Sequence, residues 1–147
     1  MDMLNPQFEE IGKEFVNHYF QLFNTGRNEL AALYKDISMM SFENDQCRGT
    51  SQIIERLNKL PPTVVHKCLS LDIQPTPNNG ILILVCGDII IEENKPLKFV
   101  RSFHLFPLPS GGYFSNNNLF HPIERHVWRF LAPVNSYDLF RLTKFPG

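Results

Sequence analysis

Apolar residues recur at three- and four-residue steps in the first third of the chain and at two-residue steps through most of the rest. From Pro6 to Phe23, the residues Phe8, Ile11, Phe15, Tyr19, Leu22 and Phe23 fall on one face of a 3.6-residue period. That spacing predicts an amphipathic helix with Pro in its first turn and Asn24-Thr25-Gly26 at its end. Arg27 to Tyr34 reads as a second, short helix with Leu30, Leu33 and Tyr34 inward. Ile37 to Phe42 alternates loosely, as a strand does. Gly49-Thr50-Ser51 predicts the cap of a third helix with Ile53, Ile54, Leu57 and Leu60 on one face, stopped by Pro61-Pro62.

Beyond Pro62 the period is two. Val64 to Gln74 puts Val65, Lys67, Leu69, Leu71 and Ile73 on one face and Val64, His66, Cys68, Ser70 and Asp72 on the other. Pro75-Thr76-Pro77-Asn78-Asn79-Gly80 is a turn, Ile81 to Ile91 a strand, Glu92-Glu93-Asn94-Lys95-Pro96 an acidic turn, and Leu97 to Phe106 a further strand. Ser110-Gly111-Gly112 turns the chain into Tyr113 to Phe120. Helices followed by a meander of long strands predict an α+β fold, a curved antiparallel sheet with helices on its concave side. Ile81 to Ile91 is apolar at nearly every position, where a strand with one solvated face would alternate. Either a subunit interface covers its second face, making a homodimer through the sheet, or a loop does.

Composition narrows the class. The chain has 147 residues, 43% hydrophobic and 20% charged, with 14 Lys+Arg against 15 Asp+Glu. One domain spanning residues 1–147 is expected, with a core large enough to need no disulfide or structural metal. A net charge of −1 argues against a nucleic-acid partner. No apolar run is long enough for a membrane span, and the amino terminus lacks the pattern of a secretory signal. Cys47, Cys68 and Cys86 are odd in number and in no metal-ligand spacing, which predicts buried free thiols in the reducing cytosol or nucleus. Thirteen Phe point to an aromatic core or an aromatic-lined cavity.

The stretches Phe8-Glu9-Glu10-Ile11-Gly12 and Phe15-Val16-Asn17-His18-Tyr19-Phe20-Gln21-Leu22-Phe23 resemble the opening helix of the nuclear transport factor 2 family. So do Leu57 to Pro61, the turn Gln74-Pro75-Thr76-Pro77, and Val85-Cys86-Gly87. The resemblance runs from about Pro6 to Phe120 and resumes at Asp138-Leu139-Phe140-Arg141-Leu142. It implies the family's cone-like fold, with three helices on a curved antiparallel sheet. It further implies a homodimeric, non-catalytic carrier without cofactor or metal, which binds GDP-bound Ran and the Phe-Gly repeats of nucleoporins while shuttling between cytoplasm and nucleus.

By the same resemblance, Ran's aromatic anchor enters a cavity walled by Leu60, Val64 and Leu97. Around its rim stand Phe42, where the family has Trp, then Glu43, His66, Glu92, where it has Asp, and Asn94, where it has a second Asp. Phe8, again in place of Trp, is the implied nucleoporin contact. Without the resemblance, Glu92 and Glu93 read as a solvated hairpin, Phe42 as core, His66 as a half-buried histidine and Phe8 as a helix staple.

One departure stands out. Removing residues 118–137 would join Phe114-Ser115-Asn116-Asn117 directly to Asp138-Leu139-Phe140-Arg141-Leu142, the family's usual last strand. The segment therefore reads as an insertion, genuine or encoded by a retained intron. Its His121 and His126 are five apart with no partner at ligand spacing, so they are not read as metal ligands. Two rivals of the same fold are an adaptor for messenger-RNA export and a small-molecule-binding or enzymatic cone. Against the latter, His66 and Asp72 lie about 20 Å apart along one strand, too far for an acid–base dyad, and no nucleophile elbow or phosphate loop is present.

Overall fold

The computed structural model describes residues 4–123. Asn5 opens the first helix: its Oδ1 accepts the Gln7 N–H at 2.9 Å and its carbonyl accepts the Phe8 N–H. Helix α1 (Phe8–Thr25) buries Gly12, Phe15, Val16, Tyr19 and Phe23, the stripe its periodicity predicts. A 3-10 helix (Arg27–Leu33) follows. Helix α2 (Gly49–Leu57) has Arg48 rather than Gly49, Thr50 or Ser51 at its cap position, and Gln52 reaches back to accept the Arg48 N–H at 2.9 Å.

The strands are β1 (Met39–Phe42), β2 (Asp45–Arg48), β3 (Val64–Thr76), β4 (Gly80–Ile91), β5 (Leu97–Pro107) and β6 (Tyr113–Pro122). They form one curved, unclosed sheet in the order β2-β1-β6-β5-β4-β3. Two features depart from the expected antiparallel meander. β2 was not foreseen, because Asp45-Gln46-Cys47-Arg48 has no apolar alternation to signal it. The pairing of β1 with β6 is parallel, with Phe42 opposite Phe120; helix α2 and four strands separate them in the chain.

β3 also corrects a predicted face. A bulge between Cys68 and Ser70 shifts the register, so that Val64 and His66 share the helix-facing side with Leu71 and Ile73 rather than with Ser70 and Asp72. Gly87 makes this possible. A Cβ there would stand 2.0 Å from the Lys67 carbonyl oxygen, an approach only glycine permits. The bulge lies on an edge strand and leaves Cys68 exposed. Cys47 is buried and Cys86 half-buried, so the thiols are free but only one of the three is in the core.

The core sits between the helices and the sheet's inner face, where Tyr19 packs edge-on to Phe103 at 4.8 Å and Phe15 does so at 5.4 Å. Every second residue of β4 from Ile81 to Ile91 is buried. On the other face Leu82 and Leu84 are 43% and 41% exposed. No helix among the described residues is long and apolar enough to cross a membrane.

β6 runs through Pro122, in register with β5 to Phe99↔Pro122. Residues 118–122 of the segment read as an insertion therefore belong to a sheet strand. His126, Trp128 and Asp138-Leu139-Phe140-Arg141-Leu142 lie outside the described residues.

Candidate functional site

Topology gathers most of the expected rim at one end of the sheet. The β1–β2 turn carries Phe42 and Glu43, the β4–β5 turn carries Glu92 and Asn94, and β3 begins and β6 ends beside them. Phe42 is buried, its ring stacked at 4.4 Å on Phe120 and covered on its other side by the Arg56 guanidinium, also at 4.4 Å. Leu60, Val64 and Leu97 are buried in the same cluster.

Glu43 follows in a left-handed turn at φ +54°, which reverses the chain from β1 into β2, and its N–H bonds to the Phe120 carbonyl. Glu43 is 4% exposed, and among the described residues neither carboxylate oxygen has a hydrogen-bond partner. Burial pushes its pKa up to about 8 and the Asp45 charge adds to this, while Arg56 pulls it down. Arg56 bonds instead to Asp45, Nε to Oδ2 at 2.9 Å. Glu43 is thus largely protonated at neutral pH until a cation reaches it.

Glu92 and Asn94 are exposed. Glu92 holds the turn at φ +57° with its N–H on the Thr63 carbonyl. The Asn94 amide donates to the Ile91 carbonyl at 2.9 Å, so it braces its own turn. His66 does not join the acidic turns. Its ring stacks on Phe20 at 4.4 Å and meets Phe23 and Phe99 edge-on, with both nitrogens buried and without hydrogen-bond partners among the described residues. Burial, with the Arg101 and Arg27 charges, holds it well below the usual histidine pKa, and it is neutral at pH 7. Beside it a groove of about 350 Å³ runs between α1 and β3, lined by Phe20, Gln21, Asn24, Val65 and Cys68.

Phe8 stands at the opposite end of the molecule, half-buried at the start of α1. Asn5, three residues earlier, donates to the Tyr113 hydroxyl where β6 begins. A second hollow of about 390 Å³ opens there, lined by Ile11, Phe15, Leu33 and Tyr113 among others.

The sequence reading missed the polar groups inside the core. The Tyr19 and Tyr34 hydroxyls are 2.6 Å apart, and the Asn118 amide donates to Tyr34 at 2.6 Å. Arg101 lies among them, fully buried. Parity could have found it, since Arg101 interrupts the inward row Leu97, Phe99, Phe103, Leu105. Among the described residues, no three His, Cys, Asp or Glu side chains gather to hold a metal.

A family profile for the nuclear transport factor 2 domain matches residues 11–121. Nuclear transport factor 2 of Emericella nidulans is 40% identical over 116 residues, covering 77% of this chain and 93% of that protein. The structure of nuclear transport factor 2 from Cryptosporidium parvum superposes with a TM-score of 0.80 at 41% identity, over 83% of this chain and 99% of its own. The fold extends to enzymes: a putative scytalone dehydratase from Novosphingobium aromaticivorans matches at TM-score 0.67 and 13% identity, over 79% of this chain and 84% of its own.

Proposed function

The chain belongs to the nuclear transport factor 2 family, and from that premise we propose that it carries GDP-bound Ran through nuclear pores, shuttling between cytoplasm and nucleus. Its homologues bear the name of a nuclear transport factor, and that is its role. Ran binds at the Phe42–Glu43 end, where Glu43, Glu92 and Asn94 meet basic residues and an aromatic side chain of Ran enters against Leu60, Val64 and Leu97. His66 contributes a neutral wall through Phe99. Phe-Gly repeats of nucleoporins bind at Phe8. Two copies pair through the outer face of β4 and β5, where Leu82, Leu84 and Val100 lie. The carrier performs no catalysis and needs no cofactor.

The observation that carries this reading is the desolvated, unpaired Glu43 carboxyl beside the Phe42–Phe120 pair. A buried acid with no internal partner is matched by an incoming cation, and losing one member of such a buried pair commonly costs about 2–5 kcal/mol.

The test separates the two ends. Glu43→Gln should weaken binding of Ran-GDP at least about tenfold, the equivalent of about 1.4 kcal/mol, and leave Phe-Gly repeat binding unchanged. Phe8→Ala should do the reverse. Variants that each weaken both partners, or neither, would contradict the assignment.

A further inference from the structure

Arg101 projects inward from the middle of β5 and is 0% exposed. The rings of Tyr19 and Phe120 lie with their centroids 5.0 Å from its guanidinium carbon, and those of Phe103, Phe23 and Phe42 at 5.6, 5.7 and 5.9 Å. Among the described residues, no hydrogen-bond partner meets its Nε, Nη1 or Nη2. The charges acting on the buried Glu43 are those of Arg56 and Asp45, so Glu43 is not the counter-ion of Arg101. Five N–H donors and a full positive charge are therefore enclosed by ring faces. Cation–π contact answers the charge in part and leaves the donors unmet, and a buried unpaired ion is costly.

Next to it is a second unmet group. The Asn118 amide nitrogen bonds to Tyr34, but its Oδ1 is buried without a partner. Arg101 and Asn118 lie on neighbouring strands, with Arg101 opposite Phe120 and Asn118 opposite Phe103.

We propose that the interior of the cone binds a small organic carboxylate, held by the Arg101 guanidinium, with its apolar body against the surrounding Phe rings. The planar fork of Arg matches a carboxylate through two parallel N–H···O bonds, and the Asn118 oxygen takes a hydroxyl or N–H of the same ligand. Among the described residues, three guanidinium groups lie over the rings of this cluster, but Arg56 over Phe42 is paired with Asp45 and Arg27 over Phe23 is bonded to backbone carbonyls, while His66 is neutral. Arg101 therefore calls for a monoanion, and a phosphate dianion would carry an uncompensated charge.

Thermal melting of the full chain with sodium benzoate, neutral benzamide and inorganic phosphate tests this. At about 100 times its dissociation constant, benzoate should raise the midpoint by about 5–10 °C, with benzamide and phosphate inert. Arg101→Gln should abolish the shift. Asn118→Ala, which keeps the guanidinium and so guards against a variant that fails to fold, should reduce it. No shift with benzoate on the wild-type chain, an equal shift with benzamide or phosphate, or a full shift in Arg101→Gln would overturn the proposal.

Discussion

Among the described residues, the Glu43 carboxylate and the His66 ring nitrogens are buried without hydrogen-bond partners, yet the two groups respond to pH in opposite senses. Glu43 has a folded pKa of about 8, above its unfolded value, so the stability it lends is complete at low pH and is lost as pH rises towards 8. His66 is depressed when folded, so its contribution is complete above the unfolded value near 6.5 and is lost as pH falls below it. The melting temperature of wild type should therefore fall relative to Glu43→Gln between about pH 5 and pH 8. A pair of parallel melting curves checks this, and parallel pH profiles would show that Glu43 is not the raised group. The same protonation links to binding. On the proposed function a cation from Ran would favour the ionised carboxylate, so complex formation should expel a proton and affinity should rise from about pH 6.5 to 8. At this scale Glu43 was placed by resemblance alone. Nothing in the local sequence reveals that Arg56, thirteen residues on, turns to Asp45 and leaves Glu43 without a partner among the described residues.

Among the elements, one side chain does most to join the helices. The Arg27 guanidinium donates to the carbonyls of Phe23, Leu57, Leu60, Pro61 and Pro62 at 2.8–3.2 Å and lies over the Phe23 ring. It satisfies carbonyls at the ends of α1 and α2 that the helices themselves leave open. Lysine has a single ammonium in place of the fork, so Arg27→Lys should lose about 2–3 kcal/mol and about 5–10 °C in melting temperature. A change below about 1 kcal/mol by urea titration would deny Arg27 this role.

The elements themselves were largely legible, because α1, β4 and β5 keep one period from end to end. The exceptions share a cause, which is that partners distant in sequence decided the local structure. β2 forms because β1 offers an edge, and the β3 bulge exists because Gly87 lets the Lys67 carbonyl close in. The strand ending is a further case. We propose that residues 118–137 are an insertion whose first residues, Asn118-Leu119-Phe120, supply the end of β6. Sequencing the mature transcript across this segment checks it: codons absent would mark a retained intron, and codons present a genuine insertion.

The whole molecule presents two ends and one open face. The inner face of β4 is covered by the helices, while Leu82 and Leu84 remain on the outside with Leu119, which is 56% exposed. Leucines open to water on the outer face of β4 and β6 fit the proposed second copy of the chain better than they fit solvent. Leu84→Asp should convert a dimer to a monomer in analytical ultracentrifugation at micromolar concentration. A wild-type chain that sediments as a monomer would remove the interface. The α+β class can be read from the alternation of strand residues, and the apolar outer face of β4 from the lack of alternation there. The rim could not, because it is assembled from two turns that only the sheet order brings to one end. The central claim is that this rim recognises Ran in one nucleotide state. Isothermal titration of the purified chain with Ran bound to GDP, and separately to a non-hydrolysable GTP analogue, is the decisive measurement. Micromolar binding to the GDP form alone is the result predicted, and a folded, dimeric protein that binds neither form, or both equally, would contradict the account.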